Sequence, residues 1–173
     1  VGLLWQHATL DDDLGCLIAN SEPLVGNPLK IYHNDTLITQ DLATSALELN
    51  LIARYCDLNQ ITTVAEIGAG YGRLADLMVN HFPHIKYHVF DIPPALAVAQ
   101  AYLSHSLGGD QVSTFRDANY SGTELYENEE SPVHIYLPHH LTRFPGKYFD
   151  LIINISSFHE MTLKQVDHYF ELI

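Results

Sequence analysis

Val64-Ala65-Glu66-Ile67-Gly68-Ala69-Gly70-Tyr71-Gly72 decides how the chain is read. It belongs to a short apolar strand pattern, Thr62 to Ile67, that closes in glycines at alternate positions. A helical pattern comes next, with Leu74, Leu77, Met78 and Phe82 on one side and Pro83 as its stop. Strand, glycine turn and helix in that order put the turn at a strand's carboxyl end and a helix N-terminus. Glycines there allow positive φ and let a ligand approach the backbone closely.

The spacing discriminates between ligands. A dinucleotide fingerprint runs G-x-G-x-x-G, whereas here the third glycine comes one residue early, at Gly72, and Arg73 takes the dinucleotide position. The Walker pattern is absent. Glu66, two residues before the first glycine, serves a pyrophosphate badly and a ligand bearing ammonium and sulfonium groups well. Asp91 closes the next strand pattern, Lys86 to Phe90, at the distance from the turn where an acid receives ribose hydroxyls. A carboxylate accepts two hydrogen bonds from a vicinal diol. Asp91 can also serve as a plain helix cap before Pro93-Pro94. Glycine turn, Asp91 and Glu66 together point to S-adenosyl-L-methionine, with Glu66, Gly68, Ala69, Gly70, Tyr71, Gly72, Asp91 and Ile92 as candidate contacts.

Working outward, Pro93-Pro94 open a helix that runs through Leu96, Ala99, Tyr102 and Leu103 to Gly108-Gly109. Upstream, Leu42, Ala46, Leu49, Ile52, Ala53 and Cys56 mark one apolar helical face, with Thr39 or Asp41 as its cap. Downstream, Val112 to Arg116 and Val133 to Leu137 are strand candidates, separated by a polar acidic insert, Ser121 to Glu130, expected as a surface loop. Tyr148 to Ile155 reads as a strand buried on both faces, and Met161 to Ile173 as a helix burying Leu163, Val166, Tyr169 and Phe170. His81, His84 and His88 are expected at the surface. Strands alternating with helices predict a doubly wound, mostly parallel α/β sheet. Residues 1–40 lack periodicity and are rich in turn residues. They read as an irregular arm with short strands at Leu29 to His33 and Leu37 to Thr39: a lid, an edge hairpin or a packed extension. The chain thus divides into an N-terminal arm and helix, 1–58, as a lid or substrate region, and a partial cofactor-binding domain, 59–173.

Composition narrows the partners. With 8 Lys+Arg against 21 Asp+Glu, the net charge of −13 disfavours gripping nucleic acid or an anionic membrane surface. Hydrophobic residues at 47% with charged residues at 17% indicate a buried core rather than a disordered acidic chain. No apolar run reaches bilayer length, and no signal peptide opens the chain. Cys16 and Cys56 form no CxxC, which matches a reducing, cytoplasmic setting. The chain starts at Val1 and stops within a helical pattern, as expected of a piece of a longer protein.

Several segments resemble a known family, the class I S-adenosylmethionine-dependent methyltransferases with their Rossmann-like core, and more narrowly the bacterial sugar O-methyltransferases. They are Glu22-Pro23 with Gly26-Asn27-Pro28, Ile38 to Ser45, Glu66 to Leu74, Asp91-Ile92-Pro93-Pro94-Ala95-Leu96, and Phe149 to Met161. The resemblance implies a small sugar-like acceptor, methylated on a hydroxyl. It places Glu66, Gly68 and Gly70 at the methionine end of the cofactor and Asp91 at the ribose. Adenine then falls near His139, in Leu137-Pro138-His139-His140-Leu141, with Asp117-Ala118 as the competing motif. The family sheet has seven strands, and this chain is expected to stop one helix after the fourth.

Ser156-Ser157-Phe158-His159-Glu160-Met161 follows the fourth strand and so shares a sheet edge with the glycine turn. The place of His159 is similar to that of the base in plant small-molecule O-methyltransferases, although Met161 stands where those enzymes commonly have tryptophan. Histidine is the natural base near neutral pH. His159 can equally cap the following helix or shape the pocket. Glu160 is a second catalytic candidate, Asn154 a cofactor contact, and Ser156, Gln40 and Asp41 are candidate acceptor contacts. His159-Glu160 begins an H-E-x-x-H string, but Leu163 holds the fifth position, so a zinc protease is excluded and no metal ligand set emerges. The rival readings are a methyltransferase for another small hydroxylated metabolite, a cofactor-binding module without chemistry, and a nicotinamide oxidoreductase, against which Gly72-Arg73 argues.

Overall fold

The computed structural model describes residues 1–114, 119–121, 124–126 and 130–173, with backbone alone at 119–121 and 124–126. Asp117-Ala118 and part of the acidic insert lie outside the described residues. The elements in chain order are α1 (Gly2–Leu10), α2 (Cys16–Ala19), β1 (Ile31–His33), β2 (Thr36–Ile38), α3 (Gln40–Tyr55), β3 (Thr63–Ile67), α4 (Arg73–His81), β4 (Lys86–Phe90), α5 (Pro93–Leu107), β5 (Val112–Thr114), β6 (Asn119–Ser121), β7 (Glu124–Tyr126), β8 (Val133–Tyr136), β9 (Leu151–Ile153) and α6 (Leu163–Leu172).

The main sheet runs β5-β8-β4-β3-β9, and every pair in it is parallel. The chain builds one side from β3 through β4 to β8, then returns to lay β9 on the other side of β3. That reversal opens a crevice beyond the carboxyl ends of β3 and β9, where open α/β sheets take ligands. The result is a doubly wound, parallel α/β sheet, as the strand and helix alternation predicts. Of the two strand candidates flanking the insert, β8 is interior and β5 is the added edge strand.

The apolar face of α3 packs as its spacing predicts. Leu42, Ala46 and Leu49 are fully buried in a core shared with Val64, Leu77, Val89 and Leu103. Burying Leu42 and Leu49 alone is worth very roughly 3–6 kcal/mol before conformational entropy is counted. Thr39 caps α3 by accepting from Leu42 N at 3.1 Å.

Several expectations are corrected. The arm contains an antiparallel β1–β2 hairpin, as expected, but also two helices. Helix α1 shows no stripe because apolar residues lie all round it: Trp5 and Ala8 are buried in the core while Leu3 and Leu10 are exposed. Helix α2 starts where Asp12 accepts from Cys16 N at 2.8 Å and Leu17 N at 2.7 Å. In the insert, β6 and β7 pair antiparallel where a loop is expected. His88 is fully buried rather than exposed, because β4 is central and covered on both faces. Its Nδ1 lies 3.1 Å from Val64 O, and its ring stacks on His134. The last strand is shorter than Tyr148 to Ile155, with Tyr148 and Phe149 packing instead as aromatic cover against His88. Helix α6 buries no residue completely, and Leu163 and Phe170 are exposed.

Among the described residues no helix is long and apolar enough to cross a membrane.

Candidate active site

The glycine turn is built by backbone need. Gly68 takes φ +76, and a Cβ there would overlap the Ser157 side chain. Gly68 N donates to Phe90 O at 2.8 Å, which fixes the turn to the tip of β4. Gly70 N donates to Asp91 Oδ2 at 2.7 Å, and Ile92 N donates to Asp91 Oδ1 at 2.7 Å. Asp91 therefore neighbours the turn, as its spacing predicts. Each carboxylate oxygen has spent one lone pair and retains acceptor capacity. That capacity is what a vicinal diol needs.

Asp91 lines a crevice of about 500 Å³ with Gly68, Gly70, Ile92, Pro138, Ser156, Glu160 and Met161. Phe90, Ile155 and Tyr169 supply apolar wall, and Gln165 a polar one. A second hollow of about 290 Å³ adjoins it across Gly68, Gly70 and Ile155. Gln40, Asp41, Ser45 and Glu48 from α3 line this second hollow, opposite Glu66, Ala69 and Tyr71. A larger hollow, about 820 Å³, lies in the N-terminal arm around Trp5, Leu17, His33 and Leu37. It shares no residue with the other two and holds none of the site candidates.

Electrostatics distinguish the two glycine-turn hollows. Glu66 is 4% exposed and accepts from Tyr87 Oη at 2.8 Å. Burial pushes its carboxyl up to about 7, against the lowering effect of that hydrogen bond. Burial also raises Glu48. Tyr71 is raised by burial and by the neighbouring Asp41. The cation nearby, Arg73, is already engaged with Glu22 at 3.2 Å and Asp76 at 2.9 Å. Asp41, Glu48, Glu66, Asp91 and Glu160 thus give a strongly acidic surround. It suits a ligand carrying ammonium and sulfonium charge and repels a pyrophosphate.

The structure brings Gln40, Asp41, Glu66, Gly68, Ala69, Gly70, Tyr71, Asp91, Ile92, Ser156 and Glu160 to these two hollows. Four other candidates fall elsewhere. Gly72 lines neither hollow, and its bare Cα faces α5, where a Cβ would stand 2.7 Å from Leu103 Cδ1. Asn154 donates to Ile67 O at 2.8 Å and to Ser157 Oγ, and accepts from Phe158 N at 3.3 Å, so it ties the tip of β9 to that of β3. His139 is exposed beside a neighbouring hollow, while Pro138 reaches the crevice. His159 is exposed on the short 3-10 turn Ser157–Glu160 and does not line the crevice; Glu160 does. That turn starts from Ser156 at φ +66, which sets the directions of both side chains.

Sequence reasoning missed Glu48, Ser157, Gln165 and Tyr169. Asp41, Ser45 and Glu48 stand at helical spacing on one face of α3, and that polar stripe was the available signal. Among the described residues no group of three His, Cys, Asp or Glu side chains is placed to hold a metal ion.

A parallel sheet with a glycine turn at the tip of β3 and an acid at the tip of β4 is the layout of a nucleotide- or nucleoside-binding α/β domain. Residues 34–120, half of the 173, match the model of the O-methyltransferase domain, and the chain belongs to that family. Its members use S-adenosylmethionine as methyl donor. The chain is similar to (RS)-norcoclaurine 6-O-methyltransferase of Coptis japonica, with 35% identity over 69 residues, 38% of this chain and 20% of that protein. It is also similar to the mitomycin 7-O-methyltransferase MmcR, with 14% identity, a TM-score of 0.43, and coverage of 72% of this chain and 32% of that one. The chain thus spans about a fifth to a third of the length of these relatives.

Proposed function

We propose that the protein is an S-adenosylmethionine-dependent O-methyltransferase that methylates a hydroxyl of a small sugar-like acceptor. The observation that carries this reading is Asp91, held by Gly70 N–H with acceptor capacity left over, at the mouth of a crevice that adjoins a carboxylate-lined pocket. In this reading Asp91 receives the ribose diol, and Ile92 and Pro138 border the adenine, with His139 beyond them. Glu66, with Asp41 and Glu48, faces the methionine ammonium. The bound cofactor supplies a methyl group on a positively charged sulfur.

The chain's own groups then do two things. The wall formed by Ser156, Glu160 and Met161 aligns the acceptor hydroxyl with that methyl, and alignment provides most of the help in such a displacement. Bound there, the cofactor would supply its methyl to the aligned oxygen and keep the electron pair of the broken carbon–sulfur bond, so that the hydroxyl proton is what this chain has to take up. The hydroxyl proton needs an acceptor on the turn Ser157–Glu160: Glu160 lines the crevice, and His159, exposed on the same turn, acts as the base by swinging its ring in toward the bound acceptor. A base of this kind is worth about 10²–10⁴-fold.

A second reading keeps the chemistry and changes the acceptor to another small hydroxylated metabolite. Phe90, Met161 and Tyr169 favour it, because they offer an apolar wall to a ring, and so does the relative named for norcoclaurine. Calorimetry of the full-length protein tests the cofactor assignment: S-adenosylhomocysteine should bind and a nicotinamide dinucleotide should not. The reverse order would remove the reading. Mass spectrometry with labelled cofactor, sugars and phenols as acceptors then separates the two acceptor classes.

A further inference from the structure

Glu22 comes from the N-terminal arm, yet its side chain is only 6% accessible, in a stretch where Leu24 and Leu29 are exposed. One oxygen, Oε2, accepts from two donors: Thr39 Oγ1 at 2.7 Å and Arg73 Nη2 at 3.2 Å. Thr39 is the cap of α3, and its hydroxyl accepts Leu42 N while donating to Glu22. Arg73 is the first residue of α4 and directly follows the glycine turn. Its other amino group donates to Asp76 and to Tyr102 Oη, and Tyr102 Oη donates to Asp76 at 3.0 Å. Tyr102 in turn packs edge-on against Tyr71 of the glycine turn, with ring centroids 4.8 Å apart.

These contacts put one arm carboxylate between the starts of the two helices that wall the hollow beside Glu66. On one side α3 presents Gln40, Asp41, Ser45 and Glu48; on the other stand Ala69, Tyr71 and Arg73. Without an acceptor at Oε2, the α3 cap loses its tie to the arm and Arg73 loses one of its two carboxylate partners in a buried setting. Asp76 still balances the Arg73 charge, but a buried N–H donor left without an acceptor is costly and drives rearrangement.

We infer that Glu22 is a positioning residue for the cofactor pocket: it clamps the starts of α3 and α4 together and couples docking of the arm to occupancy of the glycine turn. The inference rests on the reading that the glycine turn holds S-adenosylmethionine. By linkage, the factor by which arm docking strengthens ligand binding equals the factor by which bound ligand strengthens arm docking. Because the clamp needs an acceptor oxygen in place, a glutamine is expected to keep it and an alanine to lose it.

The test uses the full-length protein with S-adenosylhomocysteine as probe. Calorimetry gives its affinity, and trypsin cleavage after the exposed Lys30 reports arm docking. In the wild type the probe should slow cleavage at Lys30 several-fold. Glu22→Ala should weaken probe binding at least tenfold, speed cleavage at Lys30 and abolish the protection by the probe. Glu22→Gln should restore affinity and protection to within about threefold of wild type, a rescue that general destabilisation would not produce. Should Glu22→Ala fail to fold, Thr39→Ala removes one donor of the clamp and should show an intermediate loss of both readouts. Wild-type affinity in Glu22→Ala, or equal weakness in Glu22→Gln and Glu22→Ala, would overturn the clamp while leaving the cofactor reading intact. A wild type that binds no probe would overturn both.

Discussion

Glu66→Gln separates the cost of a buried carboxylate from its use. The substitution keeps the volume and leaves an amide oxygen to accept from Tyr87 Oη, so the packing at the tip of β3 survives. What changes is charge. In the folded protein burial pushes the Glu66 carboxyl up from its ordinary 4.5 to about 7. Between those values the folded state holds a proton that the unfolded state has released. Stability therefore falls as pH rises through this window, and the full cost is present above about 7. A shift from 4.5 to about 7 corresponds to about 3 kcal/mol at 1.36 kcal/mol per unit, falling to about 1 kcal/mol at pH 5. Glutamine removes that cost. The variant should match the wild type near pH 4.5 and be more stable by about 3 kcal/mol at pH 8, or roughly 6–12 °C in Tm for a chain of this size.

The measurement is urea unfolding of both proteins without ligand at pH 4.5, 6 and 8. Taking the difference between the two proteins at each pH matters, because another group acts in the opposite sense. His140 is buried and lowered to about 4 by burial, His139 and Arg143. It withdraws stability as pH falls from its ordinary value toward 4, and this cancels between wild type and variant. The same substitution should weaken S-adenosylhomocysteine binding at pH 8, where the wild-type carboxylate faces the ligand's ammonium. A stability difference that is constant across pH would refute the account of Glu66 as a carboxylate strained by burial. Stabilisation without any loss of affinity would show that no ligand cation sits beside it.

Asp91→Ala should weaken S-adenosylhomocysteine binding by about 1–3 kcal/mol, for lost charged hydrogen bonds, as read by calorimetry; an unchanged Kd would place the diol elsewhere. Gly68→Ala should destabilise by at least about 1–2 kcal/mol from its positive φ alone. Ser157→Gly should recover the part of the remaining loss that comes from overlap, which denaturant midpoints of the four proteins in that cycle would reveal. His159→Ala should cut turnover about 10²–10⁴-fold while S-adenosylhomocysteine affinity stays near wild type. If Glu160→Gln shows that loss instead and His159→Ala does not, the residue that lines the crevice carries the proton.

The parts of the fold that were legible in the sequence are those fixed by short-range physics. A strand, three glycines and a helix stop at Pro83 admit few arrangements, and the observed β3, turn and α4 follow them within a residue or two. Asp91 was legible because a parallel sheet brings the ends of neighbouring strands together, so an acid at one tip must lie near a turn at the other. Lateral strand order was not legible: β5 and β8 carry similar patterns, and only packing decides which is interior. Helix α1 escaped because periodicity reveals a helix only when one side is polar, and its exposed side carries Leu3 and Leu10. His88 escaped because polarity suggests exposure, yet a ring that contacts Val64 O and stacks on His134 can be buried. The division of labour among Asn154, Ser157, His159 and Glu160 depends on one left-handed residue, Ser156, which turns the chain at the end of β9. The local sequence names the chemistry available at this edge, and the turn geometry assigns it to a side chain.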